Sequence, residues 1–441
     1  MRDPIGRVEV SLDGVLRHAF SPLPEPHFLD TSTAAKLVSS GFLTPYAFES
    51  RSLVRARQVG FVTYPWEWTH HQLLQAAFVT LEVAEAALTE GHELKDASAF
   101  NVLFERDRPE FCDHFSMQPI QRRQWWAYGQ FIRHFLFPLA VSRYLGMEPA
   151  DLFKASLDGL SLGNARALLG SKCWTSRIGL ALLQRQGNTD GSKLAVPPRS
   201  DSQPNPLHQR LIDFLRWQLS GLEQVPRVSE WASYEQTRNH YSVISLDCKR
   251  ETVARWLSST KPKWVADLGC NQGEFSFVAA GIAAAGVIAV DADMAAIVRL
   301  RAKLNAGTPI YTICADLDDL PRGRGWMGRE YPGLLERLGA QADVTMALAL
   351  VHHLVIGRSI PLTEVAALMA ASTRRYLIVE YLEADDPMVQ ALLLSRDRTD
   401  DAGFTLEDQR RAFGEQFQTI EEIVLEGSSR RLVLLEKFSP T

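Results

Sequence analysis

The sequence predicts an α/β protein whose second half is a doubly wound, mostly parallel sheet. Three observations carry that expectation. From Lys263 onward, short β-branched runs alternate with helix-length segments, as in successive βα units. Three of those runs close on an acid: Asp267 in "VADLG", Asp291 in "GVIAVD" and Asp316 just beyond "YTIC". The first is followed by two glycines, Gly269 and Gly273, which suggests a backbone that a ligand approaches closely.

The bulk numbers bound the rest. At 441 residues the chain is too long for one core and predicts two or three domains. An apolar content of 46% and a charged content of 22% are ordinary for a globular protein. The formal net charge of −5 and the pI near 6.2 give no basic footprint, so no nucleic-acid partner is expected. The cysteines (112, 173, 248, 270 and 314) are odd in number and scattered without zinc spacing, which points to reduced thiols in a cytoplasm and to no metal. "MRDPIGRVEV" is no secretory leader, and no apolar stretch reaches the roughly 18 residues of a membrane span. A membrane partner is therefore not expected, and no oligomeric state is implied.

"GNTDGSKLAVPPRSDSQPNP", residues 187–206, reads as a linker between an N-terminal domain (1–186) and a C-terminal region. A helical lead-in, 207–260, opens that region: Leu207, Leu211, Phe214, Leu215 and Leu219 share one helical face, and "DCKRETVARWLSS" supplies a second helix. In the remainder, 261–441, "KWVADLG" precedes a helix over 275–284, "GVIAVDA" a helix over 294–304, and "PIYTICADL" a loop. "DVTMALALVHHL" then precedes a helix over 362–372 and the strand "RYLIVEYL". The closing "FQTIEEIVLEGSSRRLVLLEKF" reads as a hairpin that makes part of the sheet antiparallel. The expected architecture is Rossmann-like.

Ligands of such sheets bind beyond the carboxyl ends of the strands. The spacing G-x-x-x-G at 269–273 is neither the dinucleotide fingerprint nor a phosphate loop. The turn carries Asp267 and Glu274 and no basic residue, which suits a cationic ligand. Asp291 can accept two ribose hydroxyls, and Asp316 can accept from an adenine amino group with Leu317 packed on the ring.

"VADLGCNQGEFS", "AVDAD" and "CADLDDLP" resemble, in order and spacing, the first three motifs of the class I S-adenosylmethionine-dependent methyltransferases. The resemblance covers about residues 261–441. It implies S-adenosylmethionine as cofactor, with Gly269 and Gly273 flanking its methionine part, Asp291 on the ribose and Asp316 on the adenine. "SEWASYEQTRNHYS" resembles the aromatic segment that closes over the cofactor in that family. Tyr234 and Tyr241 would then contact its carboxylate or the substrate, or simply pack an entry helix.

Methyl transfer to a hydroxyl benefits from a base, and histidine suits neutral pH. His352 and His353 lie just past the fourth strand, as base or as cavity wall. Glu380 ends "YLIVE" and could orient a histidine or bind an amine, and His240 is a further candidate. The expected activity is methylation of oxygen or nitrogen on a small molecule of specialised metabolism. The rivals are a macromolecular acceptor, a bifunctional ATP-binding protein, and a cofactor-binding module without turnover.

In the N-terminal half, Asp96 and Asn101 have the D-x-x-x-x-N spacing of a kinase catalytic loop, and Asp113 follows twelve residues beyond Asn101. With "NVLF" between them, the segment resembles the carboxyl lobe of aminoglycoside phosphotransferases, which implies an α+β, kinase-like domain that shapes or covers the site. It departs from that family in lacking a glycine-rich loop; Lys36 is no convincing phosphate-binding lysine, and Lys95 precedes the base position. The three residues would cap turns, retain a fold used as scaffold, or transfer phosphate. "YPWEW" and "RRQWWAYGQF" would pack a core or wall an apolar pocket. The combination is similar to a bacterial family that includes nodulation-associated and natural-product methyltransferases.

Overall fold

The computed structural model describes residues 5–11, 14–121, 124–172, 176–182, 206–223, 243–396 and 403–439. The chain divides into two compact units, Met1–Val225 and Pro226–Thr441.

The first unit opens with β1 (Gly6–Ser11), β2 (Gly14–Ala19), helix α1 (Ser32–Ser39), β3 (Tyr46–Ser50) and β4 (Leu53–Ala56). They form an antiparallel sheet in the order β1-β2-β4-β3. The long helix α2 (His70–Thr89) starts at a capping box. Thr69 Oγ1 accepts from Gln72 N at 3.2 Å, and Gln72 Oε1 accepts from Thr69 N at 3.0 Å. The short strands β5 (His92–Leu94), β6 (Val102–Glu105), β7 (Arg108–Phe111) and β8 (Met117–Pro119) follow, paired β5 with β8 and β6 with β7. Trp66, Trp68 and Trp125 are buried and serve the core, while Trp126 is exposed.

Helix α3 (Pro206–Leu219) belongs to this unit. Arg216 forks onto Glu82 and Glu85 of α2 at 2.5 and 2.6 Å, and His70 Nε2 meets the Leu222 carbonyl at 2.7 Å. Sequence patterning assigns this helix to the lead-in of the second unit and shifts its face: Leu215 and Leu219 are buried as expected, and Leu211 and Phe214 are half-buried. The buried residues are His208, Ile212, Leu215, Gln218 and Leu219, whereas Leu207 is exposed. Two polar residues on the inner stripe hide the true periodicity.

The second unit begins with α4 (Val243–Thr260). Its sheet contains β9 (Trp264–Leu268), β10 (Gly286–Asp291), β11 (Ile310–Cys314), β14 (Val344–Ala347), β15 (Tyr376–Tyr381), β16 (Phe417–Val424) and β17 (Arg431–Lys437). A minor hairpin, β12 (Gly323–Arg324) with β13 (Tyr331–Pro332), stands apart from it. The sheet order is β11-β10-β9-β14-β15-β17-β16. The first five strands are parallel, and β17 lies antiparallel between β15 and β16. The central strands read as continuous β-branched and apolar runs because both faces are covered. Val265, Val287, Ile310, Val344 and Ile378 form one core with Trp256 of α4.

Around the sheet run α5 (Glu274–Ala280), α6 (Met294–Lys303), α7 (Leu334–Gln341), α8 (Leu362–Ser372), α9 (Pro387–Ser395) and α10 (Leu406–Gly414). Sequence patterning misses α7, α9 and α10. It also extends α5 four residues too far, since Gly281 closes that helix.

Candidate cofactor site

A cavity of about 420 Å³ opens at the carboxyl ends of β9, β10 and β11, and Asp267, Asp291 and Asp316 all line it. Asp291 ends β10 and builds the turn opposite. Its Oδ2 accepts from Asn271 N at 2.7 Å and its Oδ1 from Asp293 N at 2.8 Å. Each oxygen has a second lone pair with which to receive a hydroxyl. Burial raises the Asp291 carboxyl above the ordinary range, against the pull of these backbone donors.

Asp267 is buried more deeply. Ser276 Oγ donates to its Oδ2 at 2.6 Å. Burial, followed by the neighbouring Asp291 charge, outweighs that bond and pushes its carboxyl up to about 6. Asp316 stands at the rim, where it meets Arg358 at 3.1 Å. The same guanidinium reaches Asp318 at 3.1 Å, and Leu317 lines the wall beside them.

The two glycines divide their work. Both adopt left-handed backbone, φ +73 at Gly269 and +85 at Gly273, a region costly to residues with a Cβ. Gly269 lines the cavity, and a Cβ there would lie 3.2 Å from Leu350. Gly273 does not line it, and a Cβ there would overlap the Leu300 side chain of α6. The missing Cβ of the second glycine lets the turn pack on α6.

His353, in the π-helical turn His353–Gly357, lines the cavity and stacks on His352 with ring centroids 4.1 Å apart. Burial, aided by the Arg430 charge, lowers its imidazolium pKa to about 4, so the ring is neutral at pH 7. His352 is buried and is not among the lining residues.

Glu380 is fully buried and does not line the cavity either. It is held between two cations, Lys249 Nζ at 2.6 Å and Arg430 at 3.6 Å. Arg430 in turn forks onto Asp386 at 2.7 and 3.0 Å. The result is a buried tetrad of two cations and two carboxylates, and the expectation that Glu380 receives an acceptor amine is corrected by it. Tyr234, Tyr241 and His240 lie outside the described residues.

Sequence reasoning misses Lys249, which lines the cavity from α4. The signal was present: Lys249 shares a helical face with the buried Val253, Trp256 and Leu257. A lysine on an otherwise apolar stripe needs a partner or a ligand. Arg358 and Arg430 carry no comparable local signal.

In the first unit, Asp96, Asn101 and Asp113 do converge. Asn101 Nδ2 donates to the Asp96 carbonyl at 3.5 Å, and Arg17 of β2 meets Asp113 Oδ1 at 3.3 Å with both side chains buried. Burial, with the Asp113 charge second, raises the Asp96 carboxyl to about 6. Asp113 also accepts from Phe115 N at 3.3 Å, and Asp96 Oδ1 from Ser98 N at 2.9 Å, so both cap turns as well. Lys36 is exposed on α1.

No family model matches the chain. The nodulation protein NoeA of Rhizobium meliloti (strain 1021) is 28% identical over 456 residues, which span 99% of this chain and 95% of that protein. Among solved structures, the N-methyltransferase NodS from Bradyrhizobium japonicum WM9, in complex with S-adenosyl-L-homocysteine, is similar at 12% identity and a TM-score of 0.33, over 47% of this chain and 99% of NodS. A SAM-dependent methyltransferase from Aquifex aeolicus is similar at 12% identity and a TM-score of 0.32, over 48% of this chain and all of that one. The sheet itself, with five parallel strands and an antiparallel one inserted before the edge, decides the fold. The second unit has a doubly wound α/β fold with a mixed seven-stranded sheet. In that fold the cavity sits where ligands of doubly wound sheets bind, at the carboxyl ends of the central strands.

Proposed function

We propose that the chain is an S-adenosylmethionine-dependent methyltransferase acting on oxygen or nitrogen of a small molecule. One observation carries this reading: Asp267, Asp291 and Asp316, at or just beyond the ends of three successive strands, line one cavity. The residues fit the cofactor. Asp291 receives the ribose hydroxyls, Asp316 the adenine amino group beside Leu317, and Asp267 supplies negative charge near the Gly269 turn. Lys249 is suited to the amino-acid carboxylate. No basic residue lies between Gly269 and Glu274 to hold a phosphate.

The bound cofactor would supply a methyl group already activated on a sulfonium. What remains for the chain is positioning and exclusion of water. Leu348, Leu350 and Leu354 give the cavity an apolar wall. The neutral His353 ring can hydrogen-bond and orient the acceptor, but with its pKa lowered to about 4 it is a weak proton acceptor. Incubation with isotopically labelled S-adenosylmethionine and a metabolite extract, followed by mass spectrometry, tests the proposal. A labelled small-molecule product supports it, and label found only in RNA or protein, or in nothing, overturns it.

For the first unit we propose a kinase-like frame retained as scaffold. The meeting of Asp96, Asn101, Asp113 and Arg17 supports the frame. The absence of a G-x-G-x-x-G run from residues 1–60 supports the scaffold role. Calorimetry with ATP and Mg²⁺ should give no heat. Heat that disappears in Asp113→Ala would make this a working nucleotide site.

A further inference from the structure

Between β11 and α7 the chain forms a small hairpin, residues 321–332, with the sequence PRGRGWMGREYP. Gly323 pairs with Pro332 and Arg324 with Tyr331. At the tip, Trp326 is 66% exposed and Met327 is 70% exposed.

The tip is braced. Glu330 Oε2 accepts from Trp326 N at 3.0 Å, Gly328 N donates to the Gly325 carbonyl at 3.1 Å, and Arg329 N to the Trp326 carbonyl at 3.1 Å. Met327 is held at φ +54, a conformation that a side chain adopts only at a cost. A turn built this way presents a large indole and a thioether to water.

Its charge is also distinctive. Arg322 and Arg329 are exposed and Arg324 is half-buried. The single acid, Glu330, is turned back onto the backbone of the tip. A locally basic, apolar-tipped loop thus stands on a chain of net charge −5.

We propose that this hairpin is a peripheral docking element for an anionic lipid surface. Two side chains on a convex tip cover far less than the roughly 800 Å² per partner that a stable protein interface needs. A lipid interface closes around such a tip. Tryptophan favours the headgroup level, and arginines beside an anionic leaflet add an attraction that salt weakens. Single-stranded nucleic acid is the poorer fit, since its binders combine an extended basic groove with serial aromatic platforms, and the hairpin tip offers one indole. The expectation of no membrane partner rested on spanning segments. Among the described residues no helix is long and apolar enough to cross a membrane, and the hairpin does not need to.

Sedimentation of the full chain with vesicles tests this, using phosphatidylcholine alone and an equal mixture with phosphatidylglycerol. The parent chain should sediment with the mixed vesicles at low salt, much less at high salt, and not with phosphatidylcholine alone. Trp326→Ser with Met327→Ser, and separately Arg322→Glu with Arg329→Glu, should each reduce the bound fraction by at least about fivefold; loss of two surface arginines alone should lower the partition constant by about 30-fold. All four side chains are exposed, so both variants should melt like the parent. No sedimentation of the parent with mixed vesicles, equal sedimentation with both vesicles, or variants that bind like the parent would each overturn the proposal. So would filter binding to poly(U), abolished by the same substitutions, in a chain that ignores vesicles.

Discussion

Lys249 Nζ and Glu380 Oε2 meet at 2.6 Å with both side chains out of solvent. The pair joins α4 to the end of β15, and Arg430 with Asp386 completes a neutral set. Lys249 thus has two places in the structure, balancing Glu380 and lining the cavity at the strand ends.

Removing one member leaves a buried charge without its counterion, at a cost of about 3–5 kcal/mol. Glu380→Ala should lose stability on that scale in denaturant unfolding. Lys249→Met should do so too, and should also weaken binding of S-adenosyl-L-homocysteine. The double variant Lys249→Met, Glu380→Met should recover part of the stability without recovering ligand affinity.

The glycine turn predicts a separation of effects. Gly273→Ala, with φ +85 and Leu300 in the way, should destabilise by about 2–3 kcal/mol, combining strain and overpacking. Gly269→Ala should destabilise less, because its Cβ would meet Leu350 at 3.2 Å. It should weaken ligand binding more, because Gly269 lines the cavity. Melting curves with and without S-adenosyl-L-homocysteine separate the two.

Asp267 predicts a pH dependence. Its folded carboxyl titrates at about 6 against an ordinary 3.8. Between those values the folded chain holds a proton that the unfolded chain has released, so stability falls as pH rises through that window. The loss is at most about 3 kcal/mol. Asp267→Asn should therefore gain stability relative to the parent as pH rises from 4 to 7, measured by urea unfolding at each pH. An unchanged difference across that range would show that Asp267 does not titrate there.

His353 should stay neutral throughout the physiological range, its pKa lowered to about 4 by burial and the Arg430 charge. Its ring resonances in an NMR titration should not move between pH 8 and pH 6. A midpoint near the ordinary 6.5 would show that the ring is solvated, and would make it a competent general base and not only an orienting group.

Much of this site was legible because its strands are local and apolar. Asp291 and Asp316 stand where β-branched runs end, and chain direction alone brings the tips of parallel strands together. The hairpin of β16 and β17 was readable from its alternation and the "GSS" turn. What escaped depends on contacts distant in sequence. Glu380 looked like another strand-tip ligand, yet Lys249, 131 residues earlier, and Arg430 claim it. Gly273 looked like its neighbour Gly269, and only Leu300 on the next helix tells them apart. Helix α3 was assigned to the wrong unit because composition marks a linker but does not say which side a following helix packs on. Its partners, Glu82 and Glu85, lie before the linker.

The most direct measurement is a calorimetric titration of S-adenosyl-L-homocysteine into the full chain and into Asp291→Ala. Saturable binding by the parent is expected, weakened about 10- to 100-fold in the variant, the range for losing hydrogen bonds to a charged group. No heat from the parent, or equal affinity in a folded variant, would contradict a nucleoside cradle built on the carboxyl end of β10.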